Sequence, residues 1–244
     1  MIGCACAVCR STDPRDKRLR PSILVDVPSG PTILVDAGPD LRQQALTVGL
    51  SRIDAILLTH GHADHILGLD EIRRFNMMSG AAIPCYASAA TWDTVRRTFH
   101  YIFDGLPRVG GGIPQLDPRE VSGPITVAGV RVVPVPVWHG PMPILGFRFG
   151  DFAYLTDCNR IDEASIALVA AVDTLVIDAL RDRPHATHFS VSEALEVVAR
   201  VQPRRAFMTH MTHELGHEAT SARLPAGVEL SYDGLVLDVR VDVE

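Results

Sequence analysis

The sequence predicts an α/β fold in which two packed β-sheets are covered by helices. Three observations carry that expectation. Short apolar runs of β character recur along the chain, a helical insertion separates the early ones from the later ones, and a strand–helix–strand unit follows. No internal repeat, linker or composition break divides the chain, so residues 1–244 are expected to form one domain, with a Cys-rich segment at 1–21. With 244 residues, 47% of them hydrophobic, the chain can bury one sizeable core.

The elements follow in order. Up to Pro21 there is no periodicity. Residues 22–27 and 32–36 are β runs around the turn Pro28-Ser29-Gly30-Pro31, a hairpin pattern. Helical spacing covers 39–48 and stops at Gly49. Residues 54–59 form a continuous apolar run of the kind a buried strand shows. It feeds the loop His60-Gly61-His62-Ala63-Asp64-His65, after which Ile66, Leu69, Ile72, Phe75 and Met78 fall at helical intervals. Residues 91–103 are expected to be helical, and 105–118 are rich in Gly and Pro. The triplet Gly110-Gly111-Gly112 lacks the Gly-Lys-Ser/Thr ending of a phosphate loop and reads as a flexible turn. Strands are expected at 125–127, 130–137, 144–149, 152–156 and 174–177. Ser190 and Glu193 form a capping box for a helix running to about Val201, and the strand 205–209 then delivers His210.

Composition narrows the function classes. No apolar run approaches the roughly 18 residues of a membrane span, and no signal-peptide core is present, so a soluble, cytoplasmic protein is expected. A net charge of −6 gives no footprint for nucleic-acid backbones, and the cluster Arg15 to Arg20 is expected to be a solvated loop. Five cysteines are an odd count, which argues against a disulfide framework. Cys4, Cys6 and Cys9 lie within six residues, and most of the ten histidines are also clustered, a combination that points to metal.

The chemistry is densest at His60, His62, Asp64 and His65, the pattern H-x-H-x-D-H at the exit of a buried strand. Residues two apart in an extended segment face the same way, so His60 and His62 can grip one ion, while Asp64 and His65 face a second position. Imidazole and carboxylate suit zinc, manganese or iron, and two adjacent ions make a hydrolytic pair. His139, Asp157 and His210 each end an apolar strand as well, where a sheet-based fold gathers a site.

These motifs resemble the metallo-β-lactamase superfamily of αββα hydrolases. The opening Gly-Cys-Ala-Cys-Ala-Val-Cys and the later Thr-His-Met-Thr-His resemble, more narrowly, its cyclic-phosphate phosphodiesterase branch linked to carbon–phosphorus lyase metabolism. The resemblance implies that His60, His62 and His139 bind one divalent metal and that Asp64, His65 and His210 bind the other, with Asp157 bridging. The pair would be zinc or manganese, and Asp36 would support it from behind. Cys4, Cys6, Cys9 and His213 would hold a structural zinc; a closed tetrahedral set leaves no place for water. His188 would contact the substrate phosphate or protonate the leaving oxygen. Cys85 and Cys158 read as packing residues, Ser190 as a cap, and His100 and His217 as surface or pocket-rim residues.

Two cations against Asp64 and Asp157 leave a positive centre suited to an anionic phosphodiester. The implied activity is metal-dependent hydrolysis of a small cyclic phosphodiester, 5-phosphoribosyl 1,2-cyclic phosphate, with Asp64 and His188 as the catalytic residues. Three alternatives stay open: a tRNA 3′-processing nuclease, a thioester or lactone hydrolase, and a non-catalytic metal-binding protein. A homodimer also stays open. Relatives open with a β-strand and a Gly-rich turn ahead of the cysteines, which the residues before Cys4 do not contain. The first sheet is therefore expected to lack that strand and expose an edge, unless the true start lies upstream.

Overall fold

A computed structural model describes residues 1–106 and 112–243. Gly110 and Gly111 of the expected glycine turn lie outside the described residues. The strands are β1 (Ile23–Asp26), β2 (Thr32–Val35), β3 (Ala55–Leu57), β4 (Ile83–Ala87), β5 (Leu116–Glu120) and β6 (Ile125–Val127), then β7 (Val130–His139), β8 (Met142–Phe149), β9 (Phe152–Leu155), β10 (Thr174–Asp178), β11 (Arg205–Thr209) and β12 (Val228–Leu230). The helices are α1 (Ala7–Arg10), α2 (Leu41–Val48), α3 (Ala63–Ile66), α4 (Ile72–Ser79), α5 (Ala89–Thr98), α6 (His100–Phe103), α7 (Glu163–Val169), α8 (Val191–Val201) and α9 (His217–Ser221). They fall into two compact units, Arg20–Val130 and a second made of Met1–Leu19 with Arg131–Val243.

In the 20–130 unit the sheet order is β1-β2-β3-β4-β5. The expected hairpin pairs β1 with β2 antiparallel, Ile23 opposite Val35, and the remaining pairs are parallel. Parallel strands covered on both faces must be apolar throughout, and Ile33, Val35, Ile56 and Leu57 are all fully buried. α2 ends where expected, at Gly49, in the left-handed conformation with φ 65°.

The helix expected after His65 is broken into α3, a 3-10 turn over Leu67–Glu71, and α4. Gly68 explains the break. Its N–H donates to Ala37 O at 2.7 Å, and a Cβ there would lie 2.0 Å from Gly38 O. Only glycine lets the turn lie against residues 37–38, and this contact seats the histidine loop on the exit of β2.

In the second unit the sheet runs β12-β11-β10-β9-β8-β7. β7, β8 and β9 are an antiparallel meander, whereas β9 to β12 pair in parallel. Its core gathers Val135, Leu155, Leu175, Ile177, Val197 and Met208. α8 carries the capping box: Glu193 N–H donates to Ser190 Oγ, and Ser190 N–H donates to the Glu193 carboxylate at 2.8 Å. Two mixed sheets flanked by helices therefore match the predicted fold class. No helix among the described residues is long and apolar enough to cross a membrane.

The Arg15–Arg20 segment is not uniformly solvated. The side chain of Arg18 is only 11% exposed, and it donates to Thr212 O at 3.0 Å and Leu215 O at 2.7 Å, clamping the Cys-rich segment to the loop after β11. Burial holds its guanidinium below the usual arginine range.

Candidate metal centres

In the 20–130 unit, Asp36 leaves β2 at φ 63° and is fully buried. Its Oδ1 accepts Thr59 N–H at 2.8 Å, and its Oδ2 accepts the Thr59 hydroxyl at 2.8 Å and His65 Nδ1–H at 2.7 Å. Because the Thr59 hydroxyl donates to Asp36, its oxygen accepts from His60 Nδ1, 3.0 Å away. One buried carboxylate thus fixes both imidazoles with the proton on Nδ1 and the lone pair on Nε2, the arrangement that orients metal-binding histidines. The His60 ring lies 4.6 Å from that of His62 and 4.3 Å from that of His65, and Asp64 Oδ2 is 4.0 Å from His65 Nε2.

In the second unit, Asp157 leaves β9 at φ 55° and His210 leaves β11 at φ 60°. Non-glycine residues enter this region at a cost of roughly 1–3 kcal/mol, and such strain collects at functional sites. Here, as at Asp36, it turns a side chain off the end of a strand. Asp157 O accepts His139 Nδ1–H at 2.8 Å, Asp157 Oδ2 is 3.2 Å from His210 Nε2, and Thr156 Oγ1 donates to Asp157 Oδ1 at 2.7 Å. The donor atoms of His139, Asp157 and His188 lie within 4.8 Å of one another, as do those of Asp178, His188 and His210.

His188 therefore stands among the possible metal donors as well as beside them. Its Nδ1 is 2.9 Å from Asp178 Oδ2. Sequence reasoning missed Asp178, although the signal was available: it ends an apolar strand, as Asp157 follows one. Asn159 accepts Gly140 N–H at 2.9 Å and donates to Ala186 O at 2.8 Å, fastening the turn after His139 to the loop that carries His188.

The cysteine cluster lies wholly in this second unit. Cys6 N-caps α1, and Cys9 N–H donates to its sulfur at 3.4 Å. His213 Nδ1 is 3.4 Å from both Cys4 Sγ and Cys6 Sγ, and all four donor atoms lie within 4.8 Å of one another. Three sulfurs and an imidazole nitrogen at this spacing fit a closed tetrahedral zinc. The Cys9 N–H, and after it His213, lower the Cys6 thiol to about 6.

Cys6 in metal-free protein is thus expected to be a thiolate at neutral pH and to lose that character as pH falls through about 6. Iodoacetamide labelling of Cys6 against pH should show that midpoint, and zinc should suppress it. A midpoint near 9, the ordinary thiol value, would contradict the geometry. Cys85 and Cys158 are fully buried, and burial pushes both thiols up, as packing residues require. His100 is exposed, as expected, but His217 is not at the surface. It is 5% exposed at the start of α9, its N–H donates to Asp16 at 2.8 Å, and burial lowers its pKa.

Comparison with known proteins agrees with this donor chemistry. A family model described as a β-lactamase superfamily domain matches residues 31–211. A solved structure of a diphosphatase from the PhnP family has a TM-score of 0.92 and 42% identity, over 100% of this chain and 93% of that one. The octanoyltransferase of Porphyromonas gingivalis (strain ATCC BAA-308 / W83) is 36% identical over 236 residues, 96% of this chain. The chain spans only 48% of that protein's length. Ribonuclease Z of Mycolicibacterium paratuberculosis (strain ATCC BAA-968 / K-10) is 30% identical over 258 residues, covering 90% of this chain and 92% of its own. The chain belongs to the β-lactamase superfamily of metal-dependent hydrolases and, within it, stands with the PhnP family.

Proposed function

We propose that the chain is a dinuclear metal-dependent phosphodiesterase that opens a small cyclic phosphodiester, with 5-phosphoribosyl 1,2-cyclic phosphate as its preferred substrate. The observation that carries this reading is the 42% identity to a PhnP-family diphosphatase along the whole chain. His60, His62 and His139 would hold one ion and Asp64, His65 and His210 the other, with Asp157 shared. Cys4, Cys6, Cys9 and His213 would hold a structural zinc, which needs reduced thiols and fits a cytoplasmic protein.

When bound, a pair of divalent ions supplies Lewis-acid charge stabilisation and activates the attacking water. The protein does the rest. Asp36 keeps His60 and His65 in the binding tautomer, and Asp157 does so for His139 through its carbonyl. Asp178 accepts the Nδ1 proton of His188, which aims Nε2 outward and strengthens the imidazole as a base and carrier of the proton for the departing alkoxide.

A second reading, tRNA 3′-end processing, is favoured by the ribonuclease Z relative. The net charge of −6 weighs against it, because nucleic-acid binding draws its affinity from cations at phosphates. A panel of the cyclic ribose phosphate, a linear dinucleotide, a precursor tRNA and an octanoyl thioester separates the readings. The cyclic phosphate should give the highest kcat/KM, and the precursor should not be trimmed. Comparable trimming would move the chain to the nuclease side, and turnover of the thioester alone would make it an acyl hydrolase.

A further inference from the structure

We propose that His185 is a second imidazole in contact with the substrate, its Nε2–H donating to a non-reacting oxygen of the phosphoryl group beside His188. This rests on the phosphodiesterase reading and adds a binding residue to it. His188 stands in a cluster of imidazoles within the second unit. Its ring is 4.7 Å from that of His139, 4.8 Å from that of His210 and 5.2 Å from that of His185. His139 and His210 are metal donors in the proposed centre. His185 belongs to none of the groups that could hold an ion among the described residues, so its place in the cluster calls for another use.

The two histidines of the 185–188 loop are held in opposite tautomers. His188 Nδ1–H donates to Asp178 Oδ2 at 2.9 Å. His185 Nδ1 accepts instead, from Thr187 N–H at 3.3 Å, with the Thr187 hydroxyl at the same distance. A ring nitrogen that accepts carries no proton, so the imidazole is neutral and its single N–H is on Nε2. Burial, and after it His188 and Arg181, lowers the pKa of His185 in the same sense. His185 is half-buried, and its Nε2 has no partner among the described residues.

The loop is fastened on both sides of His185. Arg181 donates to Arg183 O at 3.2 Å and to Pro184 O at 3.1 Å, and Asn159 donates to Ala186 O at 2.8 Å. A Cβ on Gly140 would lie 2.8 Å from Thr187 Cγ2, so the turn after His139 lies against Thr187. A solvated surface histidine needs no such anchoring. Held this way, Nδ1 is spent on its own loop and Nε2–H is a pre-oriented donor, the kind of group that stabilises charge without reorganising. A phosphoryl group at His188 carries further anionic oxygens, and a fixed N–H one ring away is placed to meet one of them. The two imidazoles then divide the work: His188 meets the leaving oxygen, and His185 meets one that stays on phosphorus.

Zinc-loaded wild type with 15N-labelled histidine tests this without turnover. Long-range 1H–15N spectra should show His185 as the Nε2–H tautomer, its signals assigned as those missing from His185→Phe. Inorganic phosphate should shift the His185 Nε2 signal together with that of His188. In kcat/KM, His185→Phe should lose about 10- to 100-fold, the range for a charge-assisted hydrogen bond. The loss should be equal for a ribosyl and a nitrophenyl diester, since the phosphoryl oxygens are common to both. His185→Gln, which can return an N–H near the Nε2 position, should recover part of it. An Nδ1–H tautomer, a His185 signal that stays put while His188 moves, or unchanged kcat/KM in His185→Phe would overturn the assignment. If wild type hydrolyses no phosphodiester while phosphate still shifts the His185 signal, the phosphodiesterase reading falls and His185 stands as an anion-binding residue.

Discussion

Asp64→Ala is expected to abolish phosphodiester turnover while leaving the ion on the cysteine cluster in place. The expected loss is about 10³-fold or more, because each active-site ion contributes several kcal/mol of charge stabilisation. The fold should survive. Asp64 sits in the first turn of α3 with its side chain 26% exposed, whereas Asp36, fully buried and accepting three hydrogen bonds, could not be removed so cleanly. Wild type purified without chelator should approach three metals per chain by elemental analysis. Cys6→Ser should lose about one of them and keep measurable turnover. Finding at most two metals in saturated wild type, unchanged in Cys6→Ser, would eliminate the structural zinc.

His188→Ala separates leaving groups. An alkoxide is a strong base, so expelling it without a proton is costly, and general-acid help is worth roughly 10²–10⁴-fold. A nitrophenolate departs with little help. With Nδ1 held by buried Asp178, Nε2 would be the atom of His188 that delivers the proton. Loss of His188 should therefore slow an alkyl or ribosyl diester far more than a nitrophenyl diester in kcat/KM. Equal losses would make His188 a phosphate binder or a metal donor, the latter in keeping with its place beside His139 and Asp157. Metal analysis of the variant distinguishes these two.

Much of the fold was legible where the chain repeats a simple rule. The 22–36 hairpin, the Gly49 stop and the Ser190–Glu193 capping box were all readable because local chemistry decides them. β5 was not, since Leu-Asp-Pro-Arg-Glu is an edge strand, half in solvent, where proline and charge are tolerated and no alternation is needed. α7, α9 and β12 are short elements whose apolar residues matter only through tertiary packing.

The same division runs through the site. Each strand-exit His or Asp was visible as a polar residue after an apolar run. The hold of Asp36 on Thr59 and His65, and the Asp178–His188 pair, depend on contacts between residues 10 to 29 positions apart that periodicity does not encode. Arg18 shows the converse error. Beside other charged residues it reads as solvated, and only packing reveals that its guanidinium is a buried clamp.

The most direct test of the central claim is metal-dependent turnover of a single substrate. The protein is stripped with chelator, dialysed, and assayed for opening of 5-phosphoribosyl 1,2-cyclic phosphate while Mn²⁺ or Zn²⁺ is titrated back. Activity absent from the stripped protein should return with added ion and saturate at about two ions per chain beyond the cysteine-bound one. Full activity in the stripped protein, or no opening of the cyclic phosphate at any metal loading, would contradict a dinuclear phosphodiesterase.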